Sequence, residues 1–218
     1  MADLSPATRD ALLRVGTSTL TGTLSRRGLR NMFLQEVWPI RPDGPRMVGP
    51  AFTMRFIPAR EDKTATGRGP VQQRAMEECP PGHVLVVDAR GCAGIVTDGG
   101  LRDTEGVFKT GLPAYHRRPS SPPSGIVHQP ADLNLPIACG GVAIYPGDII
   151  VGDCDGVVAI PPDIVDAVAE EAVATTLYDE FAEAEVARGR SLVGLFPAAG
   201  EEAKRDFEMW KKARSGAG

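Results

Sequence analysis

The chain is poor in several things, and each shortage closes off a class of protein. Aromatic residues make up only 6% of its 218 positions, and no run approaches the eighteen or more apolar residues of a membrane span. The start, MADLSPATRDALLRVG, lacks the basic opening and apolar core of a secretory signal. The expectation is a soluble, cytoplasmic protein with no membrane partner. The four cysteines, Cys79, Cys92, Cys139 and Cys154, form no CxxC pair, so neither a zinc knuckle nor a dithiol redox motif is encoded, and buried free thiols are expected. A net charge of -4 gives no global attraction to nucleic acid, and no direct nucleic-acid contact is expected. GxGxxG, GxxxxGK[ST] and nucleophile-elbow patterns are missing too.

What is present is ordinary globular composition, 42% hydrophobic and 24% charged, with 25 Gly and 19 Pro that imply many tight turns. A length of 218 residues suits one domain with a sizeable core, and a single domain over 1–218 is expected. Ser5-Pro6 opens a helix that Gly16 should end, and a second helix through Leu20 and Leu24 should stop at Arg26-Arg27-Gly28. Segment 48–57 alternates over Phe52, Met54 and Phe56 like a strand. A short helix over Gln72–Cys79 precedes the apolar runs Val84–Ala89 and Ala93–Thr97. Both runs lack alternation, as in a parallel sheet, yet only Arg90-Gly91-Cys92 separates them and a parallel pair ordinarily needs a crossover of a dozen residues. Either they form a hairpin, or they are not parallel neighbours, or a crossover is absent. Asp155-Gly156 marks a hairpin between IIVGD and GVVAIP. From Asp163 the pattern turns helical, with rows Ile164, Val168, Ala172 and Val173, Leu177, Phe181, ending near Arg188-Gly189 within a C-terminal helical extension of about 163–218.

For chemistry, the sharpest cluster is Asp98-Gly99-Gly100-Leu101-Arg102-Asp103. A carboxylate there can hold a hard cation and the guanidinium can grip a carboxylate or enolate oxygen, while a solvated turn with a surface ion pair explains the same residues. His83, His116 and His128 are too far apart for a helical metal motif. Arg117-Arg118, beside Tyr115 and His116, could bind an anion or form a solvated loop tip.

VVDA (86–89), AGIVTDGGLRD (93–103), LPAY (112–115) and ACGGVAIYPGDIIVGDCDGVVAIP (138–161), followed by a long acidic helix, resemble the RraA-like proteins. That family contains regulators of ribonuclease activity and the class II 4-hydroxy-4-methyl-2-oxoglutarate/4-carboxy-4-hydroxy-2-oxoadipate aldolases. The resemblance implies an α/β fold, the swivelling β/β/α domain with N-terminal helices and a long C-terminal helix, assembled as a homotrimer or homohexamer with sites at subunit interfaces. It implies a Mg²⁺- or Mn²⁺-dependent aldolase that cleaves 4-hydroxy-2-oxo acids to pyruvate, with oxaloacetate decarboxylation in many members. Arg102 would bind substrate and stabilise the pyruvyl enolate oxygen, Asp103 would hold the metal through water, and Glu180 would correspond to a neighbouring subunit's acid. The alternative within the family is a non-catalytic regulator that binds an RNA-degradation enzyme. One departure stands out: relatives carry a second metal-associated aspartate twenty residues before the Arg-Asp pair, in the turn that opens a crossover helix, and here the count lands on Pro81. That helix is expected to be missing at Arg90-Gly91.

Overall fold

The computed structural model describes residues 4–59, 70–86, 92–121, 128–196 and 200–215. The chain begins with α1 (Pro6–Arg14) and α2 (Thr17–Arg26), and the Ser5 hydroxyl caps α1 by accepting from the Thr8 amide at 3.1 Å. Gly16 serves as N-cap of α2 rather than as the stop of α1, which already ends at Val15. Strands β1 (Trp38–Pro39) and β2 (Met47–Pro58), helix α3 (Pro70–Glu78), and strands β3 (Val84–Val86), β4 (Gly94–Val96) and β5 (Gly100–Leu101) follow. Then come α4 (Thr104–Thr110), β6 (Ala114–His116), β7 (Arg118–Pro119), β8 (His128–Leu133), β9 (Ile137–Cys139) and β10 (Val142–Ile144). The hairpin β11 (Ile149–Gly152) and β12 (Val157–Ile160) leads to α5 (Val165–Ala187) and α6 (Glu201–Ser215).

The main sheet runs β1-β6-β4-β3-β2-β11-β12, with β8 on the distal half of β2. Strand β2 is the spine: its first residues pair antiparallel with β11, its middle pairs parallel with β3, and Met54–Pro58 pair antiparallel with β8. Core packs against both of its faces at first, Met47 and Ala51 on one side and Val48 and Phe52 on the other, with Ala51 and Thr53 as buried as Phe52 and Met54, so the alternation read from the sequence does not describe its burial; Phe56 is only partly buried.

The unbroken apolar runs of β11 and β12 have the same cause. Ile149, Val151, Val158 and Ile160 face Leu12, Leu20 and Leu24 of the N-terminal helices and Val168 and Ala172 of α5, whereas Ile150, Val157 and Ala159 face an inner core with Val84, Val96, Tyr115 and Ile144. The other face of β3, β4 and β6 packs Leu85, Ile95 and Ala114 with Phe52, Leu101, Cys79 and Cys92. The helical layer is tied by side chains. The Thr8 hydroxyl donates to Asp166, the Arg26 and Arg27 guanidiniums clasp Glu171 at 2.9 and 3.1 Å, and Arg46 donates to the Val15 carbonyl at 2.8 Å.

On α5 the predicted second row fails: Phe181 is buried but Val173 is exposed, because α5 packs on the N-terminal helices through Val165, Val168, Ala169 and Ala172 and turns its distal half toward α6. There Tyr178, Phe181, Phe196, Phe207 and Trp210 build an aromatic cluster with α6; α5 itself ends at Ala187, beside the expected Arg188-Gly189. Around Arg90-Gly91 the three arrangements left open reduce to one, the pair that lacks a crossover of ordinary length. β3 and β4 are parallel neighbours, in register Val84↔Gly94 and Leu85↔Ile95, so neither the hairpin nor the separated arrangement is adopted. The strands are short, about 10 Å each, and residues 87–93, which separate them, are long enough at ~3.3 Å per residue to span that distance. Asp88, Arg90 and Gly91 of that link lie outside the described residues.

Candidate functional site

Strand β4 ends at Val96 and delivers the cluster to the carboxyl-terminal edge of the parallel strands, where open α/β sheets place their ligands. Thr97 donates its amide to the Tyr115 carbonyl, and its hydroxyl receives the Gly99 amide at 3.0 Å. Asp98 is not directed at the Arg-Asp pair: its carboxylate accepts the Gly140 amide at 3.0 Å, fastening the turn to the β9–β10 hairpin. Beside it, burial pushes the Cys139 thiol up to about 12, with the Asp98 charge adding to the effect, so this sulfur stays protonated and is no nucleophile.

β5 then pairs parallel with β7, Gly100 opposite Arg118 and Leu101 opposite Pro119. Leu101 drops into the core, which turns Gly100 and Arg102 to the opposite, outer face. A side chain at Gly100 would overlap that of Ser120, so only glycine lets the two strands approach here. Asp103 adopts a left-handed backbone, φ 54°, as the residue before α4, and its carboxylate makes no capping bond to that helix. The Arg102 Nε lies 4.0 Å from Asp103 Oδ2, and their side chains are 45% and 77% exposed. The two predicted residues are thus adjacent at the sheet edge, with no side-chain partner but each other among the described residues. A shallow pocket elsewhere is lined by Ile40, Arg41, Gly44, Leu112 and Tyr115, and neither Arg102 nor Asp103 lines it.

The other candidates are dispersed. Glu180, on α5, is engaged by Arg214 at 2.5 Å. Arg117 pairs with Glu36 at 2.5 Å, while Arg118 has no side-chain partner among the described residues, a distinction the dipeptide could not reveal. His116 is buried with its Nδ1 unpartnered, and His83 and His128 lie elsewhere. Among the described residues, the one group with metal-ligand spacing is Asp153, Cys154 and Asp155, but both oxygens of buried Asp153 are already committed to Thr17 and the Asp155 amide. A hard cation at Asp103 would find a single protein carboxylate, a donor set that suits Mg²⁺ or Mn²⁺ when water and substrate oxygens complete the shell. No described helix is long and apolar enough to cross a membrane.

Comparison with known proteins bears on all of this. Residues 87–159 match the family model RraA-like: Aldolase/RraA. A protein of Halalkalibacterium halodurans named "Putative 4-hydroxy-4-methyl-2-oxoglutarate aldolase" is 37% identical over 126 residues, 48% of this chain and 58% of that one, so the match spans little more than half of that relative's length. Among solved structures, Streptomyces coelicolor RraAS2, described as an unusual member of the RNase ES inhibitor RraA protein family, shares 28% identity and a TM-score of 0.73 over 84% of this chain and 98% of its own. An uncharacterized protein from Pseudomonas syringae pv. tomato has the same fold at 21% identity and a TM-score of 0.75, covering 89% and 99%. The central segment thus matches the RraA-like family model, and the fold is the one that RraAS2 adopts.

Proposed function

We propose that the protein is a divalent-metal-dependent class II aldolase, a carbon–carbon lyase that cleaves 4-hydroxy-2-oxo acids to pyruvate and decarboxylates oxaloacetate by the same enolate-forming half-reaction. The observation that supports it most is the Arg102-Asp103 pair, held at the carboxyl edge of the sheet with no other side-chain partner among the described residues. Both reactions leave negative charge on the 2-oxo oxygen of the pyruvyl fragment. Arg102 donates hydrogen bonds to that oxygen and offsets the charge as it grows. Asp103 is the residue that would hold Mg²⁺ or Mn²⁺, whose charge, when bound, adds to the same stabilisation. Exposure of the pair in one chain agrees with a site closed by a second copy, as a homotrimer or homohexamer would provide; the exposed Leu192, Val193, Phe196 and Met209 offer apolar surface for such assembly.

The test is pyruvate release from 4-hydroxy-4-methyl-2-oxoglutarate and from oxaloacetate, with Mg²⁺ or Mn²⁺ and with EDTA. EDTA should abolish turnover, and Arg102→Lys should lower it ~100-fold, because an ammonium cannot reproduce the two-pronged guanidinium. Turnover indifferent to both changes refutes the mechanism. One observation favours a second reading, a regulator that binds an RNA-degradation enzyme: the short β3–β4 connection, with Pro81 where relatives carry a second metal-associated aspartate. No turnover with either metal, joined to stoichiometric binding of such an enzyme, would put this reading in place of the lyase.

A further inference from the structure

Three stretches of chain meet around the turn that leads into Arg102 and Asp103, and they close a ring on it. The Asp98 carboxylate accepts the Gly140 amide at 3.0 Å, and the Gly140 carbonyl accepts the Gln35 amide at 2.8 Å. Glu36, next to Gln35, pairs with Arg117 at 2.5 Å, and the Arg117 amide donates to the Gly99 carbonyl at 3.2 Å. Gly99 adjoins Asp98, so the path returns to where it began.

The strain in this ring falls on Glu36. Leu34 and Val37, each 1% exposed, are fixed in the core, and the Leu34 amide donates to the Val157 carbonyl at 2.9 Å, so the chain turns outward between them. Glu36 makes that turn with φ 56°, a left-handed backbone shared only by Asp103 and Asn134 among the described residues other than glycine. Glycine would adopt it without strain, so the backbone gives no reason for a glutamate. What glutamate adds is a carboxylate on Arg117, and with side chains 63% and 54% exposed that ion pair contributes little to stability.

The turn has need of such a hold. Gly99-Gly100 is pliant by itself, and it precedes the two residues on which the proposed chemistry depends. A guanidinium that opposes charge developing in a transition state has to be placed to a fraction of an ångström. We infer that Glu36, acting through Arg117, is a positioning residue that keeps this turn in its catalytic geometry and so favours turnover, not stability. This rests on the lyase reading, in which Arg102 and Asp103 meet the substrate.

The test compares pyruvate release with Mg²⁺, melting temperature, and amide hydrogen exchange over residues 97–103 in the full chain. The variants are Glu36→Gly, Glu36→Gln, Arg117→Gln, the Glu36→Gly/Arg117→Gln double and, as a control at another exposed ion pair, Arg55→Gln, whose partner is Asp132. Glu36→Gly should melt at or above the wild-type temperature, because glycine relieves the left-handed backbone. It should nevertheless lose about tenfold in kcat, with KM within about twofold of wild type and faster exchange over 97–103. Arg117→Gln should match that loss, and the double variant should fall no further. Glu36→Gln, whose amide oxygen still accepts from Arg117, should keep about half of kcat or more, and Arg55→Gln all of it. A wild-type kcat in Glu36→Gly, a loss no larger than in Arg55→Gln, or a melting temperature that falls in step with kcat overturns the inference and leaves the lyase reading standing. No pyruvate from the wild type overturns both.

Discussion

Asp153 offers the most direct check of how the N-terminal helices are held to the sheet. Its side chain is buried in the β11–β12 turn, where Oδ2 accepts the Thr17 amide at 2.7 Å and Oδ1 accepts the Thr17 hydroxyl at 2.8 Å and the Asp155 amide at 2.9 Å. α2 has no cap of its own, since Gly16 offers no side chain, so a carboxylate more than a hundred residues away in sequence performs that task at the positive end of the helix. Asp153→Ala removes all three bonds. Water can replace the partner of Asp155, which is partly exposed, but Thr17 is only 1% exposed and its two donors would be stranded. At ~1–3 kcal/mol for each stranded buried donor, the loss should be about 3 kcal/mol. That corresponds to a fall in Tm of ~6–12 °C for a chain of this size. Asp153→Asn keeps one acceptor and should lose about half as much. Urea unfolding followed by circular dichroism measures the difference; an Asp153→Ala midpoint within 1 kcal/mol of wild type at unchanged slope would show that the turn does not hold α2.

Two further outcomes follow from buried titratable groups. Burial holds the Asp148 carboxyl above the usual carboxylate range, although its Oδ2 accepts the Tyr145 amide at 2.8 Å. The folded state therefore binds this proton more tightly than the unfolded one, and stability falls as pH rises from the ordinary carboxylate value through the raised one. In stability measured across pH 3–7, Asp148→Asn should flatten that decline and gain more over wild type at neutral pH than in acid; parallel curves would refute it. Of the four thiols, Cys154 alone is exposed, and burial pushes those of Cys79 and Cys139 up to about 12. Ellman's reagent at pH 8 should titrate one thiol in the native protein and four in denaturant, and rapid modification of a second would contradict the packing.

What could be read from the residues alone depended on whether the signal was local. Ser5-Pro6, Arg26-Arg27-Gly28 and Asp155-Gly156 carry their instructions within a few residues, and the helices and hairpin sit where those residues require. The Arg102-Asp103 pair was legible as chemistry, whereas its openness was not, because exposure depends on which strand arrives alongside. Burial of β2 misled for a related reason: its neighbours come from three distant parts of the chain, and alternation describes only strands with one wet face. The aromatic cluster between α5 and α6 escaped notice because its members stand on opposite sides of a loop. At Arg90-Gly91 the residues left three arrangements open, because the direction of pairing is not a local property; the parallel pair joins strands of three residues each.

The partnership of β2 with β11 also governs when the protein can fold. Met47 must find Gly152, roughly a hundred residues later, before the central spine has its antiparallel neighbour and before the N-terminal helices have a finished surface to cover. At ~5–20 residues per second, a ribosome takes several seconds to deliver that partner. Through that interval the buried face of β2 is bare, with Val48, Phe52 and Met54 in the open and a backbone edge unpaired. The nascent chain thus has a defined period of vulnerability, in which the demand on chaperones is set by the order of synthesis and ends once residues 149–160 emerge.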